Sequence, residues 1–289
     1  MYVGHSLLAF TLAGLLAWVA GARNRTVVVV GAAAAGFALV PDVDSAYTVW
    51  AVLRAGPAEI FPTTEYVWTA EGWFVHRSLT HSLLVGGVTT VASFTAAVGA
   101  ESERVVGRLS AFSLAAILGG ALAVVGYQSD GLLGLATMSL FLAGALLVTG
   151  LAVRAAVTPR LVGAAAGLGL LTHPFGDVFM GRPPAFLYPV LTGPSVEKLA
   201  LAADPTVNLI ALFGLELVLA WTVLWLLTRV RHDTIRRHIE GRAMLGMGFA
   251  AAVLVIQPPT LAVAYHFTIG TLTTGAVVGV APSLLDPPS

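Results

Sequence analysis

Cysteine is absent from this 289-residue chain, which excludes disulfides and thiolate metal sites. Charge is scarce as well. Asp, Glu, Lys and Arg together make up 10% of the residues, against about 25% in an ordinary soluble domain. The chain is 57% hydrophobic with a mean hydropathy of +0.87. Spread along the whole length, that bias belongs to a polytopic membrane protein rather than to a large soluble core. Net charge is zero and no basic run resembles a nucleic-acid patch, so nucleic acid is not an expected partner. The opening stretch MYVGHSLLAFTLAGLLAWVAGARNR lacks a basic leader, and its arginines follow the apolar run. It is therefore expected to be a first retained span and not a signal peptide.

Long apolar runs are what remain. They fall at residues 7–22, 27–40, 83–100, 111–126, 132–153, 161–172, 207–228 and 244–265. The last is interrupted by QPPT at 257–260, and a weaker stretch covers 268–281. None alternates as a barrel strand would, so an all-α bundle of about eight transmembrane helices is expected. Residues 1–205 are expected to form one membrane domain and 206–289 to add further helices to the same bundle. With eight crossings, Arg23, Arg25, Arg104, Arg108, Arg154, Arg160, Arg229, Arg231, Arg236, Arg237 and Arg242 share one face. The positive-inside rule makes that face cytoplasmic and puts the chain in the inner or plasma membrane.

The other face then collects His5, PDVDS at 41–45, HRSLTHS at 76–82 and THPFGD at 172–177. With His266, five of the seven histidines lie there, beside Asp42, Asp44 and Asp177. The runs before PDVDS and THPFGD are only 14 and 12 residues long, or about 18–21 Å against a hydrocarbon core of about 30 Å. The ionisable residues after them should be recessed, where charge needs a partner, water or a bound ion.

His173 and Asp177 are one helical turn apart, a spacing that suits joint ligation of one ion. A His–Asp hydrogen bond at a helix end is the competing explanation. Asp42 and Asp44 point apart on a regular helix and need an irregular turn to converge, and Asp44 or Ser45 also fits as a cap of the helix SAYTVWAVLR. His76 and His81 cannot both act from one helical face. His76 is expected on the approaching loop, with Thr80 or His81 in the first turn and Ser82 just inside. The amides there and Arg77 would suit an anion. His232 and His238 read as solvated. Glu216 sits mid-membrane, either in a proton or ion path or hydrogen-bonded to a neighbouring helix.

A leading histidine, PDxD after a short span, HRxxTHS before another span and a later HxxxD, in this order, resemble the YdjM-like membrane-bound metal-dependent hydrolases. The resemblance covers residues 1 to about 190. It implies metal ligands at His5, Asp42, Asp44, His76, His81, His173 and Asp177, with Arg77, Thr80 and Ser82 in the same motif. Ser78 stands where the family commonly has Gly, and Tyr188–Pro189 loosely matches a tryptophan–proline pair.

The expected activity is metal-assisted hydrolysis, at the non-cytoplasmic face, of an ester or phosphoester of a lipid-like or amphipathic substrate in the bilayer. One or two divalent ions, zinc or manganese, would activate water. Asp44 or Asp177 would serve as general base and Arg77 would hold the substrate's anionic group. No G-x-S-x-G elbow supports a serine hydrolase. The alternative is an ion- or proton-coupled transporter, and a third reading is a structural membrane protein stabilised by metal. Oligomeric state is not legible in the sequence.

Overall fold

A computed structural model describes residues 2–45, 75–179, 183–194, 196–203 and 205–230. The span expected at 244–265, the stretch at 268–281, the helix SAYTVWAVLR past Ser45, the basic loop after Val230 with His232 and His238, and His266 lie outside the described residues. So does the side chain of His76. The chain divides into two units, Met1–Leu199 and Ala200–Ser289.

The described residues of the first unit contain helices and turns and no strand. Helix α1 covers Tyr2–Val19 and α2 covers Asn24–Leu39, continued by a 3₁₀ turn at Pro41–Ser45. A short π-helical turn, Val75–Leu79, leads into α3, Leu83–Glu101. Helix α4, Val105–Arg154, is 50 residues long but leaves helical geometry at Asp130 and Gly131. Helix α5 runs from Pro159 to Asp177. In the second unit, α6 covers Pro205–Val230 and carries Glu216 near its middle.

At the break in α4 the chain folds back on itself. Gly131 has φ +55°, a left-handed conformation that favours glycine. On either side of it the arms meet: a Cβ on Gly126 would lie 2.7 Å from Gly134 O, and one on Gly119 would meet Leu142. The residue sums of these pairs are nearly constant, as antiparallel arms require. The helix is thus a hairpin, and its two arms correspond to the separate runs expected at 111–126 and 132–153.

Among the described residues, three apolar stretches are long enough to cross a membrane: Asn24–Ser45, Leu83–Glu101 and Val105–Arg154, with Val3–Val19 a shorter apolar helix. This supports a helical membrane protein but not the full count of about eight spans. Val106, Leu109, Ile117, Leu132, Leu147 and Leu151 on α4 are exposed, as expected of a surface meeting lipid. Helix α5 falls outside the set because of its Gly, Pro and polar content, and its packing accounts for its small residues. It contacts α1, α2, α3 and α4, and its buried face is Val162, Ala165, Ala166, Gly169, Leu170, His173, Pro174 and Asp177. A Cβ on Gly169 would lie 2.5 Å from Ala34 O, so α5 touches the α2 backbone. Small residues allow that approach where lipid supplies no hydrophobic drive between helices.

The connections alternate between two ends. The α1–α2, α3–α4 and α4–α5 turns carry Arg23, Arg25, Arg104, Arg108, Arg154 and Arg160, all exposed. Arg25 reaches Ala155 O at 3.4 Å, joining two of these turns. The start of α1, the ends of α2 and α5 and the start of α3 meet at the opposite end.

Candidate metal centre

His5 lies in the first turn of α1, Asp42 and Asp44 in the 3₁₀ turn after α2, Arg77 in the π turn, Thr80 and His81 just before α3, and His173 and Asp177 in the last turns of α5. The two ionisable motifs expected to sit beyond short spans, PDVDS and THPFGD, are built into the helical segments themselves. The 3₁₀ turn carries the α2 segment through Ser45 and α5 continues through Asp177, so the ionisable groups stay within the bundle. Pro41 breaks the α-helical ladder at the end of α2, and Ser45 Oγ donates to Asp42 O at 2.6 Å to hold the tighter turn.

The segment bearing His81 is fastened on several sides. Ser82 Oγ accepts from Leu84 N at 3.1 Å and Val85 N at 3.4 Å as the N-cap of α3. Its own proton goes to Tyr188 O at 2.6 Å. Leu83 N donates to Phe186 O at 2.9 Å, and Ala185 N to Arg77 O at 3.0 Å. The anion site expected at these amides is therefore already filled by the chain itself. Ser82 acts as a clasp between α3 and the loop at 185–188, and its hydroxyl is committed to that clasp, not presented as a nucleophile.

Four acceptor atoms from three parts of the fold converge. His173 Nε2 and His81 Nε2 are 3.0 Å apart. Asp177 Oδ2 lies 3.1 Å from His81 Nε2 and 3.6 Å from His173 Nε2. Asp42 Oδ1 lies 3.9 Å and 3.7 Å from the same two nitrogens. His81 and His173 are both 0% exposed. The second nitrogen of His173 is occupied, because Nδ1 lies 2.7 Å from Ala38 O and a carbonyl only accepts. Nδ1 therefore carries the proton, and Nε2 turns its lone pair toward the cluster.

These separations suit one cation. A tetrahedral site with nitrogen and oxygen ligands at about 2.0–2.1 Å has ligand–ligand edges of about 3.4 Å, and the five distances above bracket that value. Asp42 Oδ2 is buried and receives no hydrogen bond from the described residues. Arg77 pairs with one of the cluster's carboxylates, Asp177. Asp42 and Asp177, the two carboxylates that face the histidine Nε2 atoms, are set among buried groups, where negative charge is costly unless matched and a cation is a fitting partner. Two overlapping groups qualify as ligand sets, His5–Asp42–His173 and His81–His173–Asp177.

The remaining expected residues take distinct places. His5 is buried, with Nε2 3.3 Å from Asp177 Oδ1 and its ring 4.0 Å from the His173 ring. Gly176 makes room for it, since a Cβ there would overlap the His5 imidazole. Arg77 Nη1 is 3.2 Å from Asp177 Oδ1 and 3.2 Å from Asp177 O, so it clamps the end of α5. Both Asp177 oxygens thus face cationic or imidazole groups. Asp44 joins neither ligand set and lies behind His81, with Oδ2 accepting from Thr80 Oγ1 at 2.5 Å. Sequence reasoning did not assign Thr80 this contact, nor foresee Ala38 O, Gly169 and Gly176. Backbone carbonyls and glycines leave no chemical signature at the level of sequence.

What these features define is an all-helical membrane protein with a buried histidine–aspartate cluster that can take a metal ion. The family model of the YdjM inner membrane proteins matches residues 1–263. The chain belongs to that family. No curated protein and no solved structure matches it.

Proposed function

We propose that this protein is a divalent-cation-dependent hydrolase of the membrane, acting on an ester or phosphoester of a lipid-like or amphipathic molecule at the non-cytoplasmic face. The observation that carries this reading is the meeting of His81 Nε2, His173 Nε2, Asp177 Oδ2 and Asp42 Oδ1 within 3.0–3.9 Å along the five measured edges. Those four side chains would hold the ion. Zinc or manganese, when bound, supplies Lewis-acid polarisation of the ester and acidifies water. Arg77 and His5 hold Asp177 Oδ1 and so keep Oδ2 turned to the histidines. Asp42 Oδ2, buried and without a donor among the described residues, is the atom placed to take a proton from an attacking water. It is preferred to Asp44, whose Oδ2 accepts from Thr80, and to Asp177, whose Oδ1 is held by His5 and Arg77 and whose Oδ2, although also without a hydrogen bond among the described residues, serves as ligand to the ion.

The substrate class is supported by exposed apolar side chains near the cluster: Phe175 beyond His173, and Leu187, Val190 and Leu191 on the loop clasped by Ser82. The orientation is supported by the six arginines in turns at the far end of the first unit. Metal analysis of detergent-purified protein, followed by phosphoester and carboxyester assays on amphipathic substrates, tests the activity. Wild type should hold metal and turn over, while His173→Ala and Asp42→Ala should do neither. Stoichiometric metal without turnover, together with ion flux in liposomes, would favour a transporter. The absence of native cysteine makes the orientation testable with single cysteines. Val190→Cys should react with a membrane-impermeant maleimide from outside and Arg104→Cys should not; the reverse pattern would invert the topology.

A further inference from the structure

Asp44 and Thr80 form a connected pair behind the cluster, and their chemistry differs from that of the residues in front. Thr80 Oγ1 lies 2.5 Å from Asp44 Oδ2 and 2.9 Å from His81 Nδ1. The direct separation of His81 Nδ1 and Asp44 Oδ2 is 3.5 Å, too long for a good hydrogen bond. Asp44, Thr80 and His81 are all buried, at 3%, 2% and 0% exposure. A threonine hydroxyl has one proton. It is donated to Asp44, so the same oxygen accepts from His81, and His81 Nδ1 must carry the hydrogen. His81 Nε2 is then the nitrogen with the lone pair, and it is the one 3.0 Å from His173 Nε2 and 3.1 Å from Asp177 Oδ2.

We infer that Asp44 is not a ligand or a general base but, with Thr80, a positioning device that fixes the His81 tautomer and aims Nε2 at the cation. The inference rests on the cation site proposed above. Ala38 O does the same for His173, so one imidazole is held by a backbone carbonyl and the other by a hydroxyl–carboxylate relay. Loss of such outer partners weakens metal binding by about 10–100-fold while leaving the ligand set intact.

The test uses the full-length protein in detergent micelles, with zinc affinity by competition, metal content by elemental analysis, and the cobalt(II) absorption spectrum. Thr80→Val and Asp44→Asn should keep the wild-type ion count and a cobalt spectrum of the same ligand type, with affinity lowered about 10–100-fold. Thr80→Ser, which retains the hydroxyl, should restore wild-type affinity. His173→Ala should lose the ion. In the metal-free protein, histidine ¹⁵N NMR should show His81 protonated at Nδ1 in wild type and Thr80→Ser, and a mixed tautomer in Thr80→Val. A loss of the ion or a changed cobalt ligand field in Asp44→Asn, beside a wild-type Thr80→Val, would make Asp44 a direct ligand and overturn the inference. So would an Nε2-protonated His81 in the wild type. Wild-type protein that binds no divalent ion would instead remove the cation site itself, with the NMR tautomer then reporting on the relay alone. Circular dichroism of each variant separates these results from loss of fold.

Discussion

The two ends of the helical unit both carry ionisable side chains, and they treat them in opposite ways. At the turn end, Arg23, Arg25, Arg104, Arg108, Arg154 and Arg160 are exposed and spread over three turns. Where they bond at all in the hydrogen bonds described above, as Arg25 does, the partner is a backbone carbonyl. At the other end His5, Asp44, His81, His173 and Asp177 are buried against one another. An exposed charge keeps its hydration and needs no particular neighbour, so its position records topology. A buried charge must be matched by others, so its position records chemistry.

The sharpest way to break this contrast is to remove a group from each end. His173→Ala should abolish stoichiometric metal, a loss larger than the about 10–100-fold expected of an outer-shell change, as read by elemental analysis. Gly169→Ala comes next. Its Cβ would meet Ala34 O at 2.5 Å and Ala38 N at 2.8 Å, driving α5 off α2 and separating His173 from Ala38 O. Overpacking of this kind costs about 1–3 kcal/mol, and thermal unfolding in detergent should show it together with weaker zinc binding. Gly176→Ala should displace only the His5 ring, lowering metal affinity with a smaller change in stability. If metal binding is untouched, His5 lies outside the working site.

Tyr188→Phe should cost about 0.5–1.5 kcal/mol, since Tyr188 Oη donates to Ser129 Oγ at 2.5 Å and ties the site loop to the α4 hairpin. Metal content should not change. Arg25→Gln should be the mildest, within about 0.5 kcal/mol and without effect on metal. A metal defect in Arg25→Gln would erase the distinction between the ends.

Much of the first unit can be read from one-dimensional pattern. The helical runs, the arginine turns and the PDVDS, HRSLTHS and THPFGD motifs at the opposite end need only hydropathy, alternating charge and the spacing of ionisable residues. The runs at 111–126 and 132–153 were separable by sequence even though their helix is continuous apart from Asp130–Gly131. The roles inside the cluster were not separable. Asp42 and Asp44 are two residues apart and chemically identical, yet one faces the histidine Nε2 atoms and the other backs Thr80. Nothing in HRSLTHS indicates that Asp177, a hundred positions away, lies beside Arg77.

By itself the sequence determined that this chain enters a lipid phase and which ends of its helices carry ionisable groups, because transfer free energy depends on local composition alone. Only the tertiary structure decided which carboxylate meets which imidazole nitrogen, and which oxygens are spoken for. Those assignments depend on helix spacings held to within a few tenths of an ångström at Gly169 and Gly176, where the informative feature is a side chain that is not there.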